Sequence, residues 1–172
     1  MLVCVVTCQL KPSSASRLVP APATNTFVSQ AGLMPLYGVA EAEHIAYAFP
    51  ELRCTFGDRS IVPDIAVFRW ENIILDEQGE PFDNVLAAPD WVIEILSLDQ
   101  SPNRVTGHIL HCLKHGCRLG WLIDPGDRSV VIFQPQQQLE LFCQEDRLLV
   151  LEGVELALTA KQLFRWLNMK AD

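Results

Sequence analysis

Short apolar runs, rich in residues that favour β-strands and separated by turn residues, dominate the middle of the chain and predict a sheet of short strands. The turn residues Asp124, Pro125, Gly126 and Asp127 predict a hairpin between two of these strands. A polar stretch over residues 76–84 predicts a loop. The predicted strands are 52–56, 61–70, 91–96, 119–123, 130–133, 139–142 and 148–151, of which the last two are expected to pair.

Two segments have a helical pattern instead. Residues 104–115 fit a helix that Gly116 ends, and Thr159 with Gln162 forms a capping box that begins a helix over 160–167. Strands therefore dominate, with one helix inserted between them and one at the end. This order predicts an α/β or α+β fold in which helices cover a sheet.

Length, composition and charge exclude several classes of protein. A chain of 172 residues with 49% hydrophobic residues is suited to a single core and is not wholly disordered. No apolar run approaches the roughly 20 residues of a membrane-spanning helix, which excludes an integral membrane protein. The net charge of -8 argues against binding nucleic acid by bulk charge alone. Acidic residues are concentrated in 41–100, either as a solvated face or as carboxylates that converge on a cation.

The first part of the chain has a different character. Residues 1–40 contain no acidic residue, and 11–36 show neither a period of two nor one of 3.6, which predicts a loop or tail. The start lacks the basic region of a secretory signal; a transit peptide and a poorly ordered or alternative N-terminus remain open. The six cysteines include no CxxC spacing, so reduced thiols in a cytoplasmic protein are expected.

Two carboxylates lie in unusually apolar surroundings. Asp64 follows Val62 and Pro63 and precedes an apolar run, and Glu94 interrupts the apolar strand 91–96. A carboxylate is costly to bury unless it is paired or binds metal. If the two strands are neighbours, Asp64 and Glu94 can meet at one sheet edge and share a hard cation such as Mg²⁺. The alternative is that each lies at a strand end and faces water.

The helix 104–115 carries a second cluster of candidate ligands. Its members, His108, His111, Cys112 and His115, fall within one sector of about 100° on a helical wheel. This clustering permits a zinc site, a polar helix face, or a single histidine that assists another site. Consecutive turns of one helix rarely supply every ligand of a closed zinc site, and no second Cys/His cluster is present to complete it.

Several sequence blocks occur in a characteristic order: VPDIAVF, then APDWVIEILSLDQS, then a helix, then GCRLGWLIDPGDRSVVIFQP. Together they resemble the Uma-two family of proposed endonucleases, which belongs to the restriction-endonuclease-like group marked by the PD-(D/E)xK motif. The resemblance runs from about residue 47 to 167. It implies an α/β domain, over 46–172, in which helices flank a mixed β-sheet. Residues 1–45 do not resemble the family and are expected to be a disordered or truncated segment.

The resemblance also assigns roles to particular residues. Asp64 matches the metal-binding aspartate of the motif, Glu94 matches its second acidic ligand, and the carbonyl of Ile95 completes the coordination of the metal. The implied activity is hydrolysis of DNA phosphodiester bonds with Mg²⁺, or Mn²⁺ in its place. A homodimer is implied as well, since related nucleases often pair to cut two strands.

The catalytic lysine of the motif is missing. It should stand two positions after Glu94, where this chain has Leu96, or on the following helix, where His108 occupies the corresponding place. Neutral histidine is a poor substitute for a fixed positive charge near pH 7. The sequence therefore predicts a nuclease weakened by this loss, with an inactive relative that binds DNA or another protein as the alternative.

Overall fold

The computed structural model describes residues 44–82 and 84–167, and these form two sheets and two α-helices. The larger sheet has six strands in the order β1-β4-β6-β7-β8-β9, and the smaller has three in the order β3-β2-β5. The strands are β1 (Ala46–Pro50), β2 (Arg53–Phe56), β3 (Arg59–Ile61), β4 (Ile65–Arg69), β5 (Asn84–Val85), β6 (Trp91–Ile95), β7 (Leu119–Asp124), β8 (Ser129–Phe133) and β9 (Glu140–Cys143). The helices are α1 (Pro102–Lys114) and α2 (Ala160–Leu167), and a short 3-10 turn spans Trp70–Asn72.

The large sheet is mixed. Strands β6 and β7 are parallel and the other neighbouring pairs are antiparallel. A parallel pair needs a long crossover, and α1 provides it. Alternate side chains of the central strands enter two separate cores, one containing Leu163 and Phe164 of α2 and the other containing Val105 and Ile109 of α1. The sheet therefore lies between the two helices.

Close approach of α1 to the sheet depends on Gly120. A Cβ atom at Gly120 would lie 2.3 Å from Cγ2 of Ile109. The absence of a side chain in the middle of β7 thus allows the helix to lie directly on the sheet, where Ile109 is fully buried. This contact sets the distance between α1 and the sheet, and therefore how close the polar residues of α1 lie to β6.

Most predicted elements are confirmed. Helix α1 ends at the predicted glycine, because Gly116 has a φ of 103° and the N–H of Cys117 bonds the carbonyl of Cys112. The capping box is present, with Thr159 and Gln162 bonding each other's backbone N–H groups. The hairpin between β7 and β8 is also present, and Asp124 accepts hydrogen bonds from the N–H groups of its turn.

Two strand predictions are wrong. The predicted strand 61–70 is two strands in different sheets, since β3 ends at Ile61 and β4 begins at Ile65. Pro63 has no N–H to donate to a ladder, and the chain changes sheets there. The predicted strand 148–151 is absent: Leu148 and Leu151 are buried core residues outside any strand, and β9 pairs with β8. Their apolar character reflects contact with the α2 core and not a sheet ladder.

The N-terminal segment predicted over residues 1–45 falls almost wholly outside the described residues, which begin at His44. The boundary between it and a domain over 46–172 stays a prediction. Within the described ranges, no helix is long and apolar enough to cross a membrane.

Candidate active site

Asp64 and Glu94 are brought together by the pairing of β4 with β6. Ile65 lies opposite Ile93 in this antiparallel ladder, so Asp64, which directly precedes β4, lies beside Glu94. The backbone N–H of Ile95 donates to Oδ2 of Asp64 over 2.6 Å, and the backbone N–H of Asp64 donates to the carboxylate of Glu94. Each carboxylate is therefore held by the backbone of the other strand, and the alternative of two separate, water-facing strand ends is excluded.

Burial makes this carboxylate pair unusual. Glu94 is only 5% exposed, and its side chain lies on the sheet face that α1 covers, like that of Val92. Burial first, and then the negative charge of Asp64, raises the pKa of Glu94 to about 8. Burial also raises the pKa of Asp64, although the N–H of Ile95 opposes this change. Two acidic groups that cannot both ionise without cost form a site that favours a cation.

His108 is a side chain of α1 that contacts this pair. Its Nδ1 lies 3.3 Å from Oε1 of Glu94. Burial, followed by the positive charges of Arg104 and Arg59, lowers the pKa of His108. The imidazole is therefore neutral at neutral pH, and its contact with Glu94 is a hydrogen bond and not an ion pair. All three side chains predicted as catalytic residues thus meet at one place.

The other candidate ligands of α1 have different roles. The Nε2 of His111 contacts the carbonyl of Phe56 at 3.2 Å, and Nδ1 of His115 contacts the carbonyl of His111 at 2.8 Å. Cys112 is fully buried in the core. Within the ranges that the structure describes, no group of three or more His, Cys, Asp or Glu residues could hold a metal ion. The zinc interpretation of the helix is therefore wrong, because its polar side chains bond the backbone and the neighbouring hairpin.

A magnesium site at Asp64 and Glu94 remains compatible with this finding. Mg²⁺ is commonly bound through one or two carboxylates, with water and substrate phosphate oxygens completing the octahedron. Asp64 and Glu94 lie side by side and offer carboxylate oxygens, which are ligands of this kind. None of the Lys and Arg residues described by the structure forms an ion pair with either carboxylate. The residues present therefore fit a hard divalent cation.

A third buried carboxylate, which the sequence analysis did not single out, lies at the opposite end of β6. Asp90 accepts hydrogen bonds from the backbone N–H of Arg69 at 2.9 Å and from Nδ2 of Asn72, and Nε of Arg118 lies 3.9 Å away. These donors contact both carboxylate oxygens of Asp90. A cleft of about 510 Å³ adjoins Asp90 and Arg118 and includes neither Asp64 nor Glu94. Asp90 thus connects the end of β4 with the 3-10 turn, apart from the Asp64 and Glu94 pair.

Comparison with known proteins agrees with this arrangement. The family Uma2, described as "Putative restriction endonuclease", matches residues 22–161. The chain belongs to the Uma2 family. The matched range begins at residue 22, earlier than the blocks that carry the resemblance noted in the sequence, and it contains Asp64, Glu94 and His108.

A solved structure agrees with the Uma2 assignment. It is the crystal structure of a "putative nuclease belonging to DUF820" from Anabaena variabilis, 47% identical in sequence, with a TM-score of 0.81. The match covers 87% of this chain and 85% of the other. No curated protein matches the chain. The predicted α/β fold of the Uma2 chain, a restriction-endonuclease-like mixed sheet flanked by helices, is confirmed.

Proposed function

We propose that the chain is a metal-dependent endonuclease that hydrolyses DNA phosphodiester bonds, with Asp64 and Glu94 as its acidic metal ligands. One observation carries this proposal. Glu94 is a buried carboxylate next to a second carboxylate, and no Lys or Arg among the described residues pairs with it. Burial and, after it, repulsion from Asp64 raise the pKa of Glu94, and a bound divalent cation would offset both by stabilising the ionised carboxylate. Membership of Uma2 and the similarity to a proposed nuclease support the same activity.

Each of the described residues would have a separate role in such a site. Asp64, Glu94 and the carbonyl of Ile95 would hold Mg²⁺, or Mn²⁺, which supplies an activated water and stabilises the charge that develops on the phosphate. The N–H of Ile95 keeps one oxygen of Asp64 in place, so the other oxygen is oriented. His108 holds Oε1 of Glu94 in a fixed direction. The chain thus supplies ligands that are already positioned before the cation binds.

The proposal is tested by cleavage of supercoiled, linear double-stranded and single-stranded DNA with Mg²⁺, with Mn²⁺ and with EDTA. We expect cleavage with either cation and none with EDTA. The same assay on several DNA forms identifies the preferred substrate. Absence of metal-dependent cleavage on every form would contradict the endonuclease proposal.

His108 provides a prediction about the strength of this activity. Changing His108 to lysine places a permanent positive charge next to Glu94, where a neutral imidazole now stands, and we expect cleavage to rise about tenfold. His108→Gln is the matched control, since it keeps a polar group but adds no charge, and it should not raise the rate. The measurement is single-turnover cleavage with Mg²⁺. An unchanged rate in His108→Lys would show that this helix position does not supply the charge.

The neutral state of His108 also favours a second candidate function, an inactive relative that keeps the fold and binds DNA or another protein. Thermal melting with Mg²⁺ or Mn²⁺ separates the two. A real two-carboxylate site raises the melting temperature when the cation binds, because the cation binds only the folded state. An inactive relative without a cation site shows no such increase.

Assembly and location form part of the same proposal. We propose a homodimer in the cytoplasm, where two sites cut the two strands of DNA. The buried cysteines Cys54, Cys112 and Cys117 form no disulfide, which agrees with a reducing compartment. Sedimentation of the purified protein with and without DNA tests the dimer, and a monomer under both conditions would contradict it.

A further inference from the structure

The hairpin of β2 and β3 faces α1 with one side only. Cys54 and Ile61 lie opposite each other in the ladder, and both are buried in the core that contains Val105 of α1. Side chains alternate along a strand, so Arg59, two residues before Ile61, lies on this same side. Arg53 lies on the other side, where its Nη1 contacts Oγ of Ser60. The two arginines of the hairpin therefore point in opposite directions.

The position of this hairpin against α1 is fixed by its turn. Phe56, the ladder partner of Arg59, stacks on the ring of His111 with 4.9 Å between centroids, and its carbonyl contacts Nε2 of the same residue. Gly57 follows with a φ of 56°, and a Cβ atom there would lie 2.1 Å from Nε2 of His115. The hairpin thus lies directly on the polar face of α1. Arg59 is held close to that face as a result.

Arg104 reaches the same region from the helix. It precedes His108 by four residues, which places the two side chains on one side of α1, one turn apart. His108 in turn contacts Glu94. The charges of Arg104 and Arg59 both act on His108, which agrees with this placement. Both arginines are exposed, so their guanidinium groups can reach a ligand in solvent.

We propose that Arg59 and Arg104 bind the DNA phosphate that is held at Asp64 and Glu94, and that they supply the positive charge on the side of the site facing α1. This inference rests on the proposed nuclease function. The two arginines would act as substrate-binding catalytic residues, contacting the phosphate oxygens directly. No sequence motif assigned this role to either residue.

Charge and chemistry favour arginine for this task. The site contains two carboxylates and the chain carries a net charge of -8, so an approaching phosphodiester meets negative charge that must be offset. A guanidinium group stays charged at every relevant pH and can donate two parallel hydrogen bonds to a phosphate. Two of them, from different elements, can contact phosphate oxygens from two directions.

The test compares two double variants that remove the same number of charges. Arg59→Gln with Arg104→Gln removes the proposed phosphate contacts. Arg53→Gln with Lys114→Gln is the matched control, because Arg53 lies on the opposite side of the hairpin and Lys114 at the far end of α1. All four side chains are exposed, so melting temperatures should be close to that of the wild-type chain.

Single-turnover cleavage of duplex DNA with Mg²⁺, over a series of KCl concentrations, gives the readout. We expect kcat/KM to fall about 100-fold in the Arg59 and Arg104 double variant, and by no more than about threefold in the control. The slope of log kcat/KM against log salt should become shallower by about 0.9 in the first variant, since both arginines contact the same phosphate and each neutralised phosphate contributes about 0.9. Arg59→Lys with Arg104→Lys keeps both charges and should recover part of the rate.

The outcomes separate this inference from the proposed function. If the wild-type chain cleaves DNA and both glutamine double variants behave alike, the arginine assignment is wrong and the nuclease function stands. If the wild-type chain neither cleaves nor binds DNA, both proposals fail. A loss in the Arg59 and Arg104 variant that lysine does not relieve at all, together with a lowered melting temperature, would show a structural role instead.

Discussion

Replacing Glu94 with glutamine should reduce Mg²⁺-dependent DNA cleavage by about 10³-fold, because the change removes a negative ligand and little volume. Asp64→Asn should have an effect of the same order. Both side chains lie in one small site and are held by backbone N–H groups, so an amide can take either place without large rearrangement. The measurement is single-turnover cleavage over a wide range of Mg²⁺ concentrations.

Asp90→Asn is the control for this prediction. Asp90 is also a buried carboxylate, but it directly precedes the other end of β6 and bonds Arg69 and Asn72. We expect the change to lower the free energy of unfolding by about 1–3 kcal/mol, since an ionised acceptor is lost. Cleavage per folded molecule should stay close to wild type. Cleavage that survives in both Glu94→Gln and Asp64→Asn would end the assignment of these residues as metal ligands.

Without a divalent cation, the folded protein should lose stability as the pH rises through about 8. The pKa of Glu94 is near 4.5 in an unfolded chain and about 8 in the folded protein. Between these values the unfolded chain releases the proton and the folded protein keeps it, so each increase in pH favours unfolding. The stability is thus fully present below about pH 4.5 and lost as the pH passes the folded value. The loss is a few kcal/mol, because one pKa unit corresponds to about 1.4 kcal/mol.

Glu94→Gln isolates this effect, because glutamine does not ionise. The variant should be more stable than the wild-type chain in EDTA at about pH 8.5, and the difference should shrink toward about pH 5. His108 acts in the opposite direction around its own, lowered pKa and is present in both proteins. Chemical denaturation across this pH range is the measurement. A difference in stability that does not change with pH would contradict the role of Glu94 in this loss.

Addition of Mg²⁺ should narrow the difference in stability between the two proteins. A cation at about 100 times its dissociation constant adds about 2.7 kcal/mol to the wild-type chain through binding to the folded state alone. Glu94→Gln lacks one ligand and should gain much less. The ionised carboxylate of Glu94 would then both lower the stability of the folded protein without metal and raise it when the cation is bound.

The sequence predicts local features well where they depend on short-range chemistry. Gly116, Thr159 and the turn after Asp124 act within a few residues, and the structure confirms each of them. The meeting of Asp64 with Glu94 is also predictable, since both carboxylates are out of place in apolar segments. The chain offers no local signal for the change of sheet at Pro63 beyond the proline itself, because either sheet accepts an apolar strand.

Long-range contacts explain what the sequence could not predict. The histidines of α1 suggested a zinc site because they recur on one face of the helix. In the structure, however, the ring of His111 stacks on Phe56 and its Nε2 contacts the carbonyl of Phe56, which is distant in sequence. Leu148 and Leu151 resemble a strand because burial beneath α2 requires the same residue types. Arg59 shows no pattern at all in the sequence. Its position follows only from the ladder with Phe56.

The short connection between β3 and β4 has a mechanical consequence. Arg59 and Asp64 are separated by so few residues that a fully extended chain could place their Cα atoms no more than about 18 Å apart. The covalent connection therefore limits how far Arg59 can move from Asp64. Inserting residues at Val62–Pro63 would make the positions of both Arg59 and Asp64 less well defined. Insertions into the exposed loop around Gly79, where an added Cβ atom would contact none of the described residues, would disturb neither residue.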